Sequence, residues 1–396
     1  MTNKMIRISG TGCALADFVY NGIDFNSPEF RKYLSLKEGD GGLSPGKLVF
    51  TEELEKFAGK SYSEIIAEIA RGKEAETFNI GGPSLVSLIH ASQILPGNNF
   101  EVKYYGISGK DETSSKIREL LQKVPIDFSN YKEKSDKPTP FTHVLSDPDF
   151  DNGNGERTFI NNIGAVWDLT PNELGEDFFN AEIVCFGGTA LSPNIHDNLH
   201  ILLEKAKTNG AITVVNTVYN FRSEKHNPGN NWPLGDSEKS FPNIDILIMD
   251  NEEATRISGQ SSLENTINHF KLRVSSFIIT RGSDTTIYHS NGKLFEKISG
   301  RLPVSKVVAD KIQNKQYCGD TTGCGDNFVG GVIVSIAKQI HKKREKLNLK
   351  EAVITGICSG GFTCSYNGGT YFEERVGEKK QKIDSLIKAY QHEMSL

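Results

Sequence analysis

The chain has 396 residues, and its 45 Lys and Arg against 50 Asp and Glu give a formal net charge of -5, which argues against nucleic acid as its main partner. Six scattered cysteines, Cys13, Cys185, Cys318, Cys324, Cys358 and Cys364, form no Cys-x-x-Cys pair and read as reduced thiols rather than a disulfide frame. No run approaches the roughly 18 consecutive apolar residues that a membrane helix needs, so no membrane partner is expected and the cytoplasm is the expected compartment.

Met5 to Ser9 alternates as a first strand and ends at Gly10-Thr11-Gly12, with Asp17 a few residues on. An acid just past the end of an early strand stands where α/β sheets bind ligands, although a solvated loop aspartate would read the same. Phe25 to Phe57 is irregular and turn-rich, and Ser61 to Arg71 reads as a short amphipathic helix. Within that region Gly41 to Leu48 nearly spells a nucleotide P-loop. Leu48 replaces the metal-binding hydroxyl residue and Pro45 removes a backbone donor, so that reading fails.

Phe78-Asn79-Ile80 leads into Gly81-Gly82-Pro83-Ser84 and an apolar helix to Leu95, a second ligand-facing turn. Lys103 to Ile107 reads as a strand, and Thr113 to Lys123 as a helix stopping before Pro125. Phe141 to Leu145 and Arg157 to Ile160 flank the turn-forming stretch Asp147 to Gly155 and predict a hairpin. Four further strands, at Glu182 to Phe186, Ala211 to Val215, Ile244 to Met249 and Ser276 to Thr280, alternate with helices. That repeat predicts a doubly wound, mostly parallel α/β sheet flanked by helices.

Two of these strands end on chemistry. Asp250-Asn251-Glu252-Glu253 offers hard oxygens that suit Mg²⁺ held through waters and substrate phosphates, while an acid-rich helix N-terminus is an equally ordinary reading. Thr280-Arg281-Gly282 offers a hydroxyl, a cation and bare backbone to a phosphate tail. His143, His196 and His226 are too dispersed for a catalytic or metal set, and the basic stretch His341 to Lys350 reads as a solvated helix end.

The strongest signal is Asp320-Thr321-Thr322-Gly323-Cys324-Gly325-Asp326, running into an apolar helix that contains Gly330-Gly331. Amides of Gly323, Cys324 and Gly325 at the positive end of that helix would hold a phosphate. Asp326 in the first turn is poorly placed to bind the phosphate itself, and well placed to take a proton from an attacking hydroxyl. Gly330 and Gly331 each cost a helix about 1 kcal/mol against Ala, which predicts packing too close for a side chain.

Asp-Thr-Thr-Gly-Cys-Gly-Asp-Asn-Phe-Val-Gly-Gly resembles the D-T-x-G-A-G-D-x-F-x-G-G signature of the PfkB/ribokinase carbohydrate kinases, with Cys324 at the usual Ala. Gly81-Gly82, Tyr105 to Asp111 and Asp250 to Glu253 are similar to further motifs of that family, so the likeness covers nearly the whole chain. It implies a single ribokinase-like kinase domain over 1–396, with a small β lid from segments near 17–50 and 128–163. It also implies ATP-dependent phosphorylation of a hydroxyl on a sugar or sugar-like acceptor, with Asp326 as general base. By the same likeness Asp17, Gly81 and Gly82 would hold the acceptor, while Thr280, Gly282 and Asp250 would contact ATP. Glu253 would position Mg²⁺ through water, and Asp320 would belong to a monovalent-cation site, K⁺ in particular.

Three positions depart from the family pattern: Val86 stands where Asn is usual, Asp250 where Asn is usual, and Thr285 where a second glycine is common. An adenosine- or nucleoside-kinase reading also fits the layout between Leu34 and Thr77, with Phe18, Tyr20 and Trp167 as candidates for a base slot. A catalytically silent binding protein on the same fold is the third reading. A homodimer through the lid, by strand pairing of Phe141 to Ile160, is an expectation alongside a monomer.

Overall fold

The computed structural model describes residues 5–395 except 38, 96, 98 and 154. The turn position 154 of the expected hairpin and the chain ends of the expected 1–396 domain therefore lie outside the described residues. Fourteen strands, numbered in chain order among the described residues, fall into two sheets.

The larger sheet begins with β1 (Ile6–Gly12). β2 (Leu15–Asn21), β3 (Leu48–Phe50) and β4 (Thr77–Gly81) belong to the smaller sheet, as do β7 (Phe141–Asp147) and β8 (Glu156–Asn162). The larger sheet adds β5 (Phe100–Gly109), β6 (Asp127–Ser135), β9 (Ile183–Gly187), β10 (Ile212–Asn216), β11 (Ile246–Asp250) and β12 (Ser276–Thr280). It closes with β13 (Thr286–Ser290) and β14 (Ile298–Leu302). Its order is β14-β13-β12-β11-β10-β9-β1-β5-β6, parallel from β12 through β6, with β13 and β14 antiparallel. β9, β11 and β12 carry apolar runs and are buried along nearly their whole length, as parallel strands covered on both faces must be. The expected doubly wound sheet is therefore the larger one. Its order reverses at β1, which lies between β9 and β5, so the carboxyl ends around β1 form the crevice where such folds bind ligands.

The buried helix Cys324–His341 packs between the helices Pro83–Ile94 and Leu349–Thr363. Its two internal glycines are forced by that fit. A Cβ on Gly330 would stand 2.6 Å from the Ser87 carbonyl oxygen, and one on Gly331 2.5 Å from Ser359 Oγ.

The smaller sheet corrects several expectations. Asp17 lies within a strand rather than in a loop after one, because the chain turns at Gly12 and re-enters a second sheet as β2. The lid segment placed near 128–163 is too long: β6 pairs with β5 at the edge of the larger sheet, so the smaller sheet resumes only at β7. In its place β4 joins, antiparallel to β2. The smaller sheet runs β3-β8-β7-β2-β4, so β7 and β8 each have a strand on both sides. Dimerisation by strand pairing of Phe141 to Ile160 therefore finds β7 occupied and β8 covered by β3 at Phe159 to Asn161. The outer face of this sheet supplies Leu145 and Ile160 to a separate apolar cluster with Leu54, Ile65 and Ile69 of the helices Thr51–Ala58 and Tyr62–Ile69. Its inner face is thereby left to the larger sheet.

Candidate active site

Asp326 occupies the first turn of the helix Cys324–His341, whose N-cap is Gly323 at φ 74. A Cβ on Gly323 would stand 2.6 Å from the Gly369 Cα, so both the left-handed backbone and the neighbouring loop exclude a side chain. The amides of Gly325 and Asp326 have no intrahelical carbonyl to reach and point along the helix axis. Cys324 departs from the expectation: its N–H donates to the Thr321 carbonyl at 3.2 Å, so the anion-facing turn rests on its neighbours. The Cys324 thiol touches Cys364, with 3.8 Å between sulfurs, and all six cysteines are free thiols.

Asp17 is buried on β2 and faces Asp326 and Asp320 closely enough for their charges to act on it. Burial first, then those two carboxylates, push Asp17 up to about 7. Burial pushes Asp326 up to about 6. Asp320 Oδ1 accepts from the amides of Thr322 at 3.0 Å and Gly368 at 3.1 Å, and its Oδ2 faces the Arg157 guanidinium of β8 at 3.6 Å. Both of its oxygens are thus turned toward donors, and the geometry lends no support to a monovalent-cation site there. The pair also carries a cation from the smaller sheet to the acid cluster. Gly81 ends β4 against Asp17, where a Cβ would stand 2.3 Å from Oδ2, and Gly82 at φ 98 caps the next helix with its backbone on the Cys13 carbonyl.

Asp250 and Glu253 follow the local helix-start reading. Asp250 Oδ1 accepts from the Glu253 N–H at 2.7 Å, and Glu253 Oε2 accepts from the Asp250 N–H at 2.9 Å, a reciprocal cap. Glu253 Oε2 also accepts from Thr217 Oγ1 at 2.6 Å. Burial, then the Asp250 charge, hold Glu253 at about 7, with Asp326 adding to the same effect. One Glu253 oxygen is fully committed, and no cluster of three or more His, Cys, Asp or Glu capable of caging a metal occurs among the described residues. That donor set fits a Mg²⁺ held chiefly by phosphates and waters, not a resident ion. Thr280 ends β12 with its hydroxyl on the Met249 carbonyl at 3.4 Å, and Gly282 follows at φ 58 in open space. Both sit at the carboxyl edge beside Asp250, their register partner being Asp250 itself for Thr280.

The base-slot candidates are not brought together. Phe18 and Tyr20 alternate with Asp17 on β2 and so project from the opposite face, stacking around His143. Trp167 is 42 % exposed in a short 3₁₀ turn. The aromatic side chains on the inner face are instead Phe50 and Phe159, which with Leu48, Tyr219 and Phe221 line a cleft of about 1010 Å³. Val86 is buried and packs against Gly369 on the loop that also meets Gly323.

A buried network behind Asp326 was not legible in the sequence. Asn327 Nδ2 donates to the carbonyls of Gly323 at 2.9 Å and Gly369 at 2.8 Å, tying the two loops together. Asn327 Oδ1 lies 2.8 Å from His90 Nδ1 and accepts from Lys379 Nζ at 3.1 Å; Lys379 also donates to Gln93 Oε1 at 3.0 Å. Burial lowers Lys379 to about 7 and holds His90 well below its ordinary range. Replacing Lys379 with Met keeps the apolar stem and leaves Gln93 short of a donor. Because burial disfavours the Lys379 charge, its removal offsets the lost hydrogen bonds and the Tm is expected to stay near wild type, with kcat falling as the Gly323 loop loosens. An unchanged kcat would mean that the network does not hold the loop.

Residues 62–375 match the profile of the family described as pfkB family carbohydrate kinase. The chain is 23% identical to "Adenosine kinase" of Schizosaccharomyces pombe over 309 residues, 73% of this chain and 83% of that protein. It is likewise 23% identical to "Probable fructokinase-5" of Arabidopsis thaliana over 278 residues, 67% of this chain and 77% of that one. The crystal structure of a ribokinase from Thermotoga maritima superposes with a TM-score of 0.61 at 17% identity, covering 97% of this chain and 100% of that chain.

Proposed function

The chain belongs to the pfkB family of carbohydrate kinases, and from that premise we propose that it transfers the terminal phosphoryl group of ATP to a primary hydroxyl of a sugar or sugar-like acceptor, with Asp326 as the general base. The observation that carries this is the meeting of Asp326, a carboxylate held near neutrality, with the amide-lined start of its own helix. A base whose pKa lies close to working pH is largely deprotonated yet still basic enough to take the hydroxyl proton. The amides of Gly325 and Asp326 stand where negative charge develops on the transferring group. Membership makes the protein a phosphotransferase; the acceptor, sugar or nucleoside, is the finer question.

In this reading Asp17 and the Gly81–Gly82 turn hold the acceptor, while Thr280, Gly282 and Asp250 lie along the nucleotide. Mg²⁺ would neutralise phosphate charge, with Glu253 orienting its water shell through the free carboxylate oxygen. The smaller sheet acts as a lid that excludes water. The lid already meets the opposite wall through Arg157 with Asp320, through Glu53 of the helix Thr51–Ala58 with Lys225, and through Phe50 edge-on to Phe221 at 5.7 Å.

The nucleoside alternative draws on the cleft aromatics Phe50, Phe159, Tyr219 and Phe221, which could stack a base. ADP release with ATP and Mg²⁺, measured against sugars, sugar acids and nucleosides with and without K⁺, tests the reading. Turnover with one acceptor class supports it and names the class. Nucleotide binding without turnover for any acceptor would leave a silent binding protein and overturn the proposal.

A further inference from the structure

The inner face of the smaller sheet carries one polar row. Strand register sets Asn79 beside Asp17, Asp17 beside Thr142, Thr142 beside Asn161, and Asn161 beside Phe50. Two members of the row and one further residue of the same face show where it looks. Asp17 faces Asp326 and Asp320, Asn79 Nδ2 donates to the Asn367 carbonyl at 3.1 Å across the crevice, and Arg157, of the same parity as Asn161 on β8, reaches Asp320. The residue between Arg157 and Phe159 and the one before Asn161 turn the other way, Ile160 into the outer apolar cluster. Asn161 is 7% exposed, and its Oδ1 has no hydrogen-bond partner among the described residues. Its chain neighbour Asn162, on the opposite face, donates from Nδ2 to Thr51 Oγ1 at 2.6 Å and likewise leaves its Oδ1 without a partner among the described residues, so what sets Asn161 apart is the crevice-facing side on which its bare oxygen lies. A buried amide oxygen without a donor is uncommon in a native fold and asks for one. The next residue along the row, Phe50, already lines the open cleft.

We propose that Asn161 is a specificity-determining residue for the acceptor, receiving at Oδ1 a hydrogen bond from an O–H or N–H group remote from the hydroxyl that is phosphorylated. The inference rests on the kinase reading above. Asp17 and Asn161 are two strand spacings apart, roughly 10 Å from a spacing of about 4.8 Å, and their side chains lean over the same crevice. An acceptor held by both therefore carries hydrogen-bonding groups at both ends. A polyhydroxylated sugar supplies the second as a hydroxyl and a nucleoside as a ring or exocyclic N–H. An acceptor with an apolar far end leaves the Asn161 oxygen bare and is rejected, because a site built to pair a polar group discriminates against analogues that lack it.

The test compares wild type, Asn161→Ala and Asn161→Leu on the acceptor the wild type uses best and on its single-deoxy analogues, or on nucleosides lacking one N–H donor if a nucleoside is preferred. Asn161→Ala is expected to raise the acceptor KM about tenfold or more while the KM for ATP stays within about twofold. One analogue should lose its disadvantage in the variant, since the missing group and the missing partner are the same interaction. The Tm of the ligand-free variant should be equal to or above that of the wild type, because an unpaired buried oxygen has been removed. A lower Tm with unchanged acceptor KM would make Asn161 structural and overturn the inference alone. A wild type that phosphorylates nothing in the panel would overturn the kinase reading, and this inference with it.

Discussion

Asp326→Asn is expected to lower kcat by about 10²- to 10⁴-fold, with both KM values and the fold left close to wild type. The substitution keeps the size and shape of the side chain, so the start of the helix Cys324–His341 and the amides of Gly325 and Asp326 stay in place. What disappears is the basic carboxylate that would receive the hydroxyl proton, since an amide oxygen accepts a hydrogen bond but does not take up a proton near neutral pH. Stability should hold or rise, for burial pushes Asp326 up to about 6. At pH 8 the native wild type therefore keeps a charge in a site that disfavours it, and the amide does not. Steady-state kinetics and a thermal melt on the same preparation check both halves. A kcat within tenfold of wild type would mean that the proton leaves by another route, and a collapsed Tm would mean that the loss is one of folding.

The contrast between this residue and its surroundings shows what the sequence could and could not disclose. Asp326 was legible because its partners are local: the glycine turn, the helix start and the acid lie within seven residues, and Gly330-Gly331 announced the tight packing that the Ser87 carbonyl and Ser359 impose. The parallel strands β9 to β12 were legible for the same reason, each being an apolar run bounded by turns. The polar row Asn79, Asp17, Thr142, Asn161 is different. Its members come from four strands, and only the register puts them side by side. A one-residue slip would have turned each of them to the outer face, so no reading of single segments could select Asn161 over Asn162. Phe18 and Tyr20 failed as base-slot candidates through the same parity. Lys379 sits in the run Glu378-Lys379-Lys380-Gln381-Lys382, which by composition is a solvated helix face, yet the fold buries that one lysine against Asn327 and Gln93. The lid boundary is not legible in the sequence because β6 has the composition of an edge strand, and its pairing with β5 in the larger sheet is a tertiary choice.

Asp17→Asn is expected to lower acceptor kcat/KM by about 10- to 150-fold, the range for losing a hydrogen bond to a charged group of about 1.5–3 kcal/mol, and to move the acid side of the pH profile. In the wild type Asp17 is held at about 7 and Asp326 at about 6. Two carboxylates that share a site release their protons in steps that belong to the pair, so kcat/KM should rise with pH and level off through roughly pH 6–7. Asp326 releases its proton first, while Asp17 is still protonated, so its step near pH 6 remains in the variant and the step near pH 7 that belongs to Asp17 is lost. The profile should then level off at lower pH in the variant, even though its plateau is lower. Stability carries the matching sign. Because the native pKa of Asp17 lies above that of an unfolded aspartate, about 3.9, the folded state binds a proton that the unfolded state has released between about pH 4 and 7. The wild type therefore loses stability across that window as pH rises, and the variant lacks this loss. The difference in Tm, variant minus wild type, should grow from pH 4 to pH 7 and then flatten. Parallel pH profiles for the two proteins, with a constant difference in Tm, would show that Asp17 neither meets Asp326 across the crevice nor is held near neutrality. The acceptor role assigned to it would then lose its electrostatic basis.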